Sequence, residues 1–248
     1  MKRVNILFIE DIEEDELRNS IFITGYTGFG LVGYLATRHI AFQLEMKRIG
    51  FVETKYMPES TFYTRNIGII YPFEIYYKRI SDLKLLVLVN HSLPDARERT
   101  YYVKTVTKWV KDIGVKEAIL VGGLDPAVRE SGDEKYRWIP LGNPSISLKA
   151  PILEERHVVG PLALTMMYLH AHRIPGIVIL PYAEPYRPDP RATAVAVSEI
   201  ARLLNIEIDV SQLYREAGII EELESKKEEL LKRIYETETS ERGHPMYM

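Results

Sequence analysis

Cysteine is absent from this sequence of 248 residues, which removes disulfides, thiolate metal sites and cysteine nucleophiles together. There is no concentrated Lys/Arg stretch, and the formal net charge is −3, so no nucleic-acid surface is indicated. No apolar run approaches the ~18 residues needed to cross a membrane. The opening MKRVNILFIEDIEEDE is too acidic and too briefly apolar for a secretory signal, and a soluble, cytoplasmic protein is expected. Dense His/Asp/Glu clusters are missing as well. His170 and His172, two apart on a predicted helix, would diverge by roughly 200°, so neither a metal nor any other cofactor is expected. No internal repeat is apparent.

Enough apolar sequence is present for a full core: 46% apolar against 27% charged residues, the ordinary globular balance. Short β-branched runs alternate with segments of helical spacing. The predicted strands are VNILF, SIFITG, RIGFVE, NIGIIY, EIYYKRI, LKLLVLV, EAILV, YRWIPL and GIVIL. Continuous runs such as Leu85 to Val89 and Ile177 to Leu180 predict central strands covered on both faces. IGIIYPFEIYYKRI, broken by Pro72, predicts an antiparallel meander. Helices are predicted over 31–44, 96–113 and 161–173, and a fourth from Asp189-Pro190, an N-cap followed by a first-turn proline. The expected fold is a three-layer α/β sandwich with a mixed sheet over residues 1–209. Residues 210–238 read as an amphipathic helix with Ile220, Leu223, Leu230, Leu231 and Ile234 beside Glu/Lys pairs, offering a narrow stripe to a core edge or another subunit. Residues 239–248 read as a flexible tail, and the polar stretch from Thr237 is expected to be free of the core.

Four stretches carry candidate chemistry. Gly28-Phe29-Gly30-Leu31-Val32-Gly33 has the G-x-G-x-x-G spacing of a dinucleotide turn, with Glu53 about twenty residues on. Yet VNILF precedes the strand that feeds it, and the loop after Glu53 departs from a repeated βαβ pattern. Gly28, Gly30 and Gly33 are therefore expected to form a structural turn between a strand and a closely packed helix. Asn90, His91, Ser92 and Asp95 follow the strongest strand, and Asp125 lies in GGLDPAV; both read as polar strand-end turns before they read as catalytic groups. LPYAEPYRPDPRAT is either a stiff connection or a binding edge, with Tyr182, Tyr186 and Arg187 as candidate interface residues. Met246-Tyr247-Met248 places an apolar side chain, a phenol and a carboxylate on a flexible tether, a combination suited to capture in a pocket.

GFGLVGYLATRHI, AILVGG and IPGIVILPYAEPYRPDPRATAVAVSEIARLLNIEIDV, followed by a charged helix, together resemble the archaeal branch of the proteasome assembly chaperone family over most of the chain. That resemblance implies a Rossmann-like core similar in outline to nucleoside phosphorylases, self-association, and no established enzymatic activity. It also implies that Met246, Tyr247 and Met248 match a hydrophobic-Tyr-X signature which inserts between proteasome α-subunits. The expectation is a non-enzymatic homo-oligomer whose tails dock on α-subunits. One alternative is an oligomeric scaffold with another protein partner and a buried tail. A third is a phosphorylase-like or nucleotide-using enzyme around Gly28–Gly33, His91 and Asp125.

Overall fold

Successive side chains of a strand point to opposite faces, so an unbroken apolar run needs cover on both sides. A computed structural model, describing residues 4–65 and 67–242, supplies that cover. The strands β1 (Val4–Phe8), β2 (Ile21–Gly25), β3 (Lys47–Thr54), β6 (Phe73–Ile80), β7 (Leu83–Asn90), β8 (Glu117–Val121), β9 (Tyr136–Leu141) and β10 (Gly176–Pro181) form one sheet. Its order is β1-β3-β6-β7-β2-β8-β10-β9. The central four, β7-β2-β8-β10, are parallel, while β9 on one side and β6, β3 and β1 on the other pair antiparallel.

Helices α3 (Arg99–Asp112) and α4 (Gly160–Ala171) cover one face. There Phe22, Leu86, Leu88, Leu120 and Val178 meet Tyr102, Val103, Val106 and Leu169. Helices α2 (Val32–Gln43) and α5 (Pro190–Leu204) cover the other. Ile21, Ile23, Val87, Ile119 and Ile179 belong to that second cluster, with Ala36, Ile40, Ala196 and Val197 from the helices. Each fully buried Val, Leu, Ile or Phe side chain among them contributes about 1.5–3 kcal/mol. A charge at Val106 or Ile40 would therefore break one layer outright. The result is the expected α/β sandwich with a mixed sheet.

Two elements depart from the sequence reading. NIGIIY does not join the sheet: β5 (Gly68–Ile70) pairs with β4 (Phe62–Thr64), a strand too short to stand out in the sequence although Phe, Tyr and Thr favour strands. A short helix, α1 (Glu14–Leu17), buries Leu17 beneath the α3 face.

After α5 the chain enters α6 (Ser211–Arg242), which runs past the 238 boundary. No glycine or proline interrupts the sequence between Ile219 and Arg242 to stop the helix. Leu213 and Ala217 anchor the first turns in the core. Beyond them Leu223, Leu230, Leu231 and Ile234 are 46–61% exposed. No helix among the described residues is long and apolar enough to cross a membrane.

Candidate functional site

All four parallel strands end at one edge of the sheet. Their loops bring together the glycine turn, His91, Asp125 and the Pro-rich segment, where open α/β sheets usually bind ligands.

The glycine turn is a short 3-10 turn leading into α2, with two consecutive left-handed residues, Gly30 at φ 61° and Leu31 at φ 52°. Gly30 supplies a φ that other residues adopt at a cost. Its outer side is closed: an added Cβ would lie 2.7 Å from the Ala183 Cβ and 2.9 Å from the Asp189 Cβ. The Asp189 amide donates to the Gly30 carbonyl at 2.8 Å. Gly33 is needed for proximity instead, because its Cβ would sit 2.5 Å from the Val121 carbonyl oxygen and 2.6 Å from the Tyr26 nitrogen. The motif thus locks a helix onto the ends of β2 and β8. The Ala183 and Asp189 side chains pack against Gly30, and the Asp189 carboxylate is turned to the amides of Glu184 and Ala192.

The other strand-end residues are engaged within the fold. Asn90 is fully buried; its amide donates to the Thr24 hydroxyl and the Gly25 carbonyl, and its carbonyl accepts from Tyr102. Asp125 caps the turn Pro126–Val128 by accepting from the Ala127 amide at 2.8 Å. Asp95 pairs with Arg97, whose side chain pulls its carboxyl down to about 2. His91 turns its Nε2 to Glu74 at 2.9 Å and its ring edge to Tyr34. Among the described residues, no group of three or more His, Cys, Asp and Glu could hold a metal.

Glu74 is the group that sequence reasoning missed. It lies in β6 with no exposed surface, yet accepts from Arg48 at 2.6 Å, Tyr76 at 2.7 Å, His91 at 2.9 Å and the Tyr71 amide at 3.1 Å. Burial opposes its charge, but donation from His91, Tyr76, the Tyr71 amide and Arg48 outweighs that and holds its carboxyl below the ordinary range. Arg48 also donates to the carbonyls of Ile67 and Ile69, so this cluster ties the β4–β5 hairpin to the sheet. The available signal was a lone carboxylate inside the apolar run PFEIYY.

The Pro-rich loop divides its three candidate interface residues. Tyr182 is 5% exposed, with its hydroxyl accepting from Arg137 and its ring beneath Arg129. Tyr186 is 99% exposed. Arg187 pairs with Glu224, and Arg191 with Glu221, so the loop clamps α6. Met246, Tyr247 and Met248 lie outside the described residues.

Residues 22–228 match the sequence profile of the PAC2 family. An uncharacterized protein of Methanocaldococcus jannaschii is 24% identical over 233 residues, 90% of each chain. Among solved structures, the fold matches Pyrococcus furiosus PbaB, described as an archaeal proteasome activator, at TM-score 0.75 and 22% identity over 92% of this chain and 100% of that one. It matches P. furiosus PbaA, described as an archaeal homolog of proteasome-assembly chaperone, at TM-score 0.74 and 22% identity over 97% and 98%.

Proposed function

The chain belongs to the PAC2 family, and from that premise we propose that it is a non-enzymatic, proteasome assembly chaperone-like protein that self-associates. Its last three residues, Met246, Tyr247 and Met248, dock on proteasome α-subunits. The observation that carries this reading is the course of α6. Glu221 and Glu224 pair with the Pro-rich loop, and the helix continues eighteen residues past Glu224 to Arg242 (224 to 242), about 27 Å of helix. Such an arm would suit a chain end that docks on a partner. Along it, Ile220, Leu223, Leu230 and Ile234 follow heptad spacing with Lys227 completing the seam, a pattern that helices bury against one another.

Each element then has a defined part. Tyr247 anchors through ring area and a hydroxyl bond, Met246 fills an apolar pocket, and the Met248 carboxylate meets a cation. One tail offsets its own ordering entropy and binds weakly. Several tails on one oligomer raise avidity by ~10²–10⁴ when their spacing matches the pockets.

The test is deletion of Met246 to Met248, with binding measured to assembled and unassembled α-subunits and native mass recorded alongside. Loss of binding at unchanged mass supports the reading. Unchanged binding to both would sink the tail mechanism, and a monomeric native mass would sink self-association.

A further inference from the structure

Two of the three motif glycines are explained by the fold, Gly30 by its φ and Gly33 by its contact with Val121 and Tyr26. Gly28 is not. Its φ of −147° lies outside the left-handed region, and an added Cβ would meet no atom within 4 Å. Gly28 instead lines a cavity of about 220 Å³ at the C-terminal ends of β2, β8 and β10. We propose that this cavity binds a compact, uncharged aromatic or branched-aliphatic small molecule, seated against the bare backbone of Gly28.

Topology places the cavity at a switch point. The chain leaving β2 enters α2 on one face of the sheet, whereas the chain leaving β8 returns through α4 on the other. Such divergence opens the crevice in which α/β folds take ligands. The walls set the ligand class. Phe29, Val121, Leu153, Leu162 and Leu180 present apolar surface; Thr27 and His157 add polar side chains, and no Lys, Arg, Asp or Glu lines the space. A phosphate or carboxylate would lose its hydration there with no Lys or Arg to replace it and only His157 at hand, so charged ligands are disfavoured. The Tyr26 hydroxyl is already bonded to Thr165 at 2.9 Å. Size narrows the choice further. An apolar cavity of about 150 Å³ accommodates benzene, so 220 Å³ suits a molecule the size of indole and excludes a dinucleotide. Close backbone approach continues on the far wall, where a Cβ on Gly122 would meet Leu162 at 2.6 Å and one on Gly123 would meet the Phe29 carbonyl oxygen at 2.3 Å. At the mouth, Val159 is 76% exposed just ahead of α4, a surface that an occupant would cover.

The experiment is a titration of 5-fluoroindole into the full-length protein, followed by ¹⁹F NMR. One saturable site is expected, with a dissociation constant on the order of 10⁻⁴ M, ordinary for about ten packed heavy atoms. Gly28→Leu fills the space and should weaken binding at least about tenfold. Gly28→Ala, whose Cβ has no neighbour to displace, should keep the unfolding midpoint and weaken binding less. Adenosine monophosphate should not compete. No saturable binding to the wild type, or equal binding to both glycine variants, overturns the site. Displacement by the nucleotide overturns its chemical class.

Discussion

Replacing Glu74 with alanine removes the shared acceptor of four donors at once. The Arg48 guanidinium, with an 18% exposed side chain, and the Tyr76 hydroxyl, on a 3% exposed residue, would be left inside without it. Breaking a buried ion pair by removing one partner costs about 3–5 kcal/mol, because the surviving charge stays desolvated. Arg48 keeps its bonds to the carbonyls of Ile67 and Ile69, which places the expected loss toward the lower half, about 3–4 kcal/mol. For a chain of this size each kcal/mol lowers the melting point by about 2–4 °C, so a drop of about 6–16 °C is expected in calorimetry. Glu74→Gln retains an acceptor for Tyr76 and the Tyr71 amide and should lose about half as much. The sign of the pH effect follows from the depressed carboxyl. Its contribution is full above the unfolded carboxylate pKa of about 4.3 and is lost as pH falls through the lower folded value. The gap between wild type and Glu74→Gln should therefore close on acidification below about pH 4. A loss under about 1 kcal/mol for Glu74→Ala, or a gap that widens in acid, would refute the assignment of Glu74 as a buried, ionised anchor.

Gly33→Ala should destabilise by about 3 kcal/mol or more, since its Cβ overlaps three backbone atoms that cannot rotate away, and chemical denaturation measures this directly. Raising salt from 0.1 to 1 M shortens the screening length from about 10 to about 3 Å. The exposed pairs Arg187–Glu224 and Arg191–Glu221 should then weaken, and amide exchange should quicken over residues 219–242 while the sheet stays protected.

Periodicity exposed most of the fold because burial imposes it. Runs at Leu85 to Val89 and Ile177 to Leu180 announce two-faced cover without any knowledge of partners, and Asp189-Pro190 marks the start of α5 through the bond from the Ala192 amide to the Asp189 side chain. What stayed hidden depends on distant partners. β4 has three residues, two of them more than 70% exposed, and exists through pairing with β5; Phe, Tyr and Thr all favour strands, but so short a run shows no alternation to mark it. Glu74 looks like any surface carboxylate until Arg48 and His91, 26 and 17 residues away, are brought against it. Tyr182 lies in the same Pro-rich stretch as Tyr186, yet one is interior and the other exposed, a distinction set by Arg137 on a neighbouring strand. The glycine motif was legible as a turn, but the separate reasons for Gly30, Gly33 and Gly28 required the surrounding atoms.

Two kinds of carboxylate partition the molecule mechanically. Glu74, Glu98 and Glu117 are at most 1% exposed, and each holds loop backbone: Glu74 the Tyr71 amide, Glu98 the amides of Lys55 and Tyr56, Glu117 the amide of Ile146. Bonds of this kind resist salt and make the loops part of the rigid body. Glu221 and Glu224 on α6 do the reverse. They are 53% and 41% exposed, and their arginine partners are in water too, so each pair stabilises by only about 0.2–1 kcal/mol. The body is therefore built to keep its shape while the arm is built to yield. An arm held at its root by Leu213 and Ala217 and beyond them by pairs this weak can change direction at little cost, as the proposed docking of several tails on separate pockets requires.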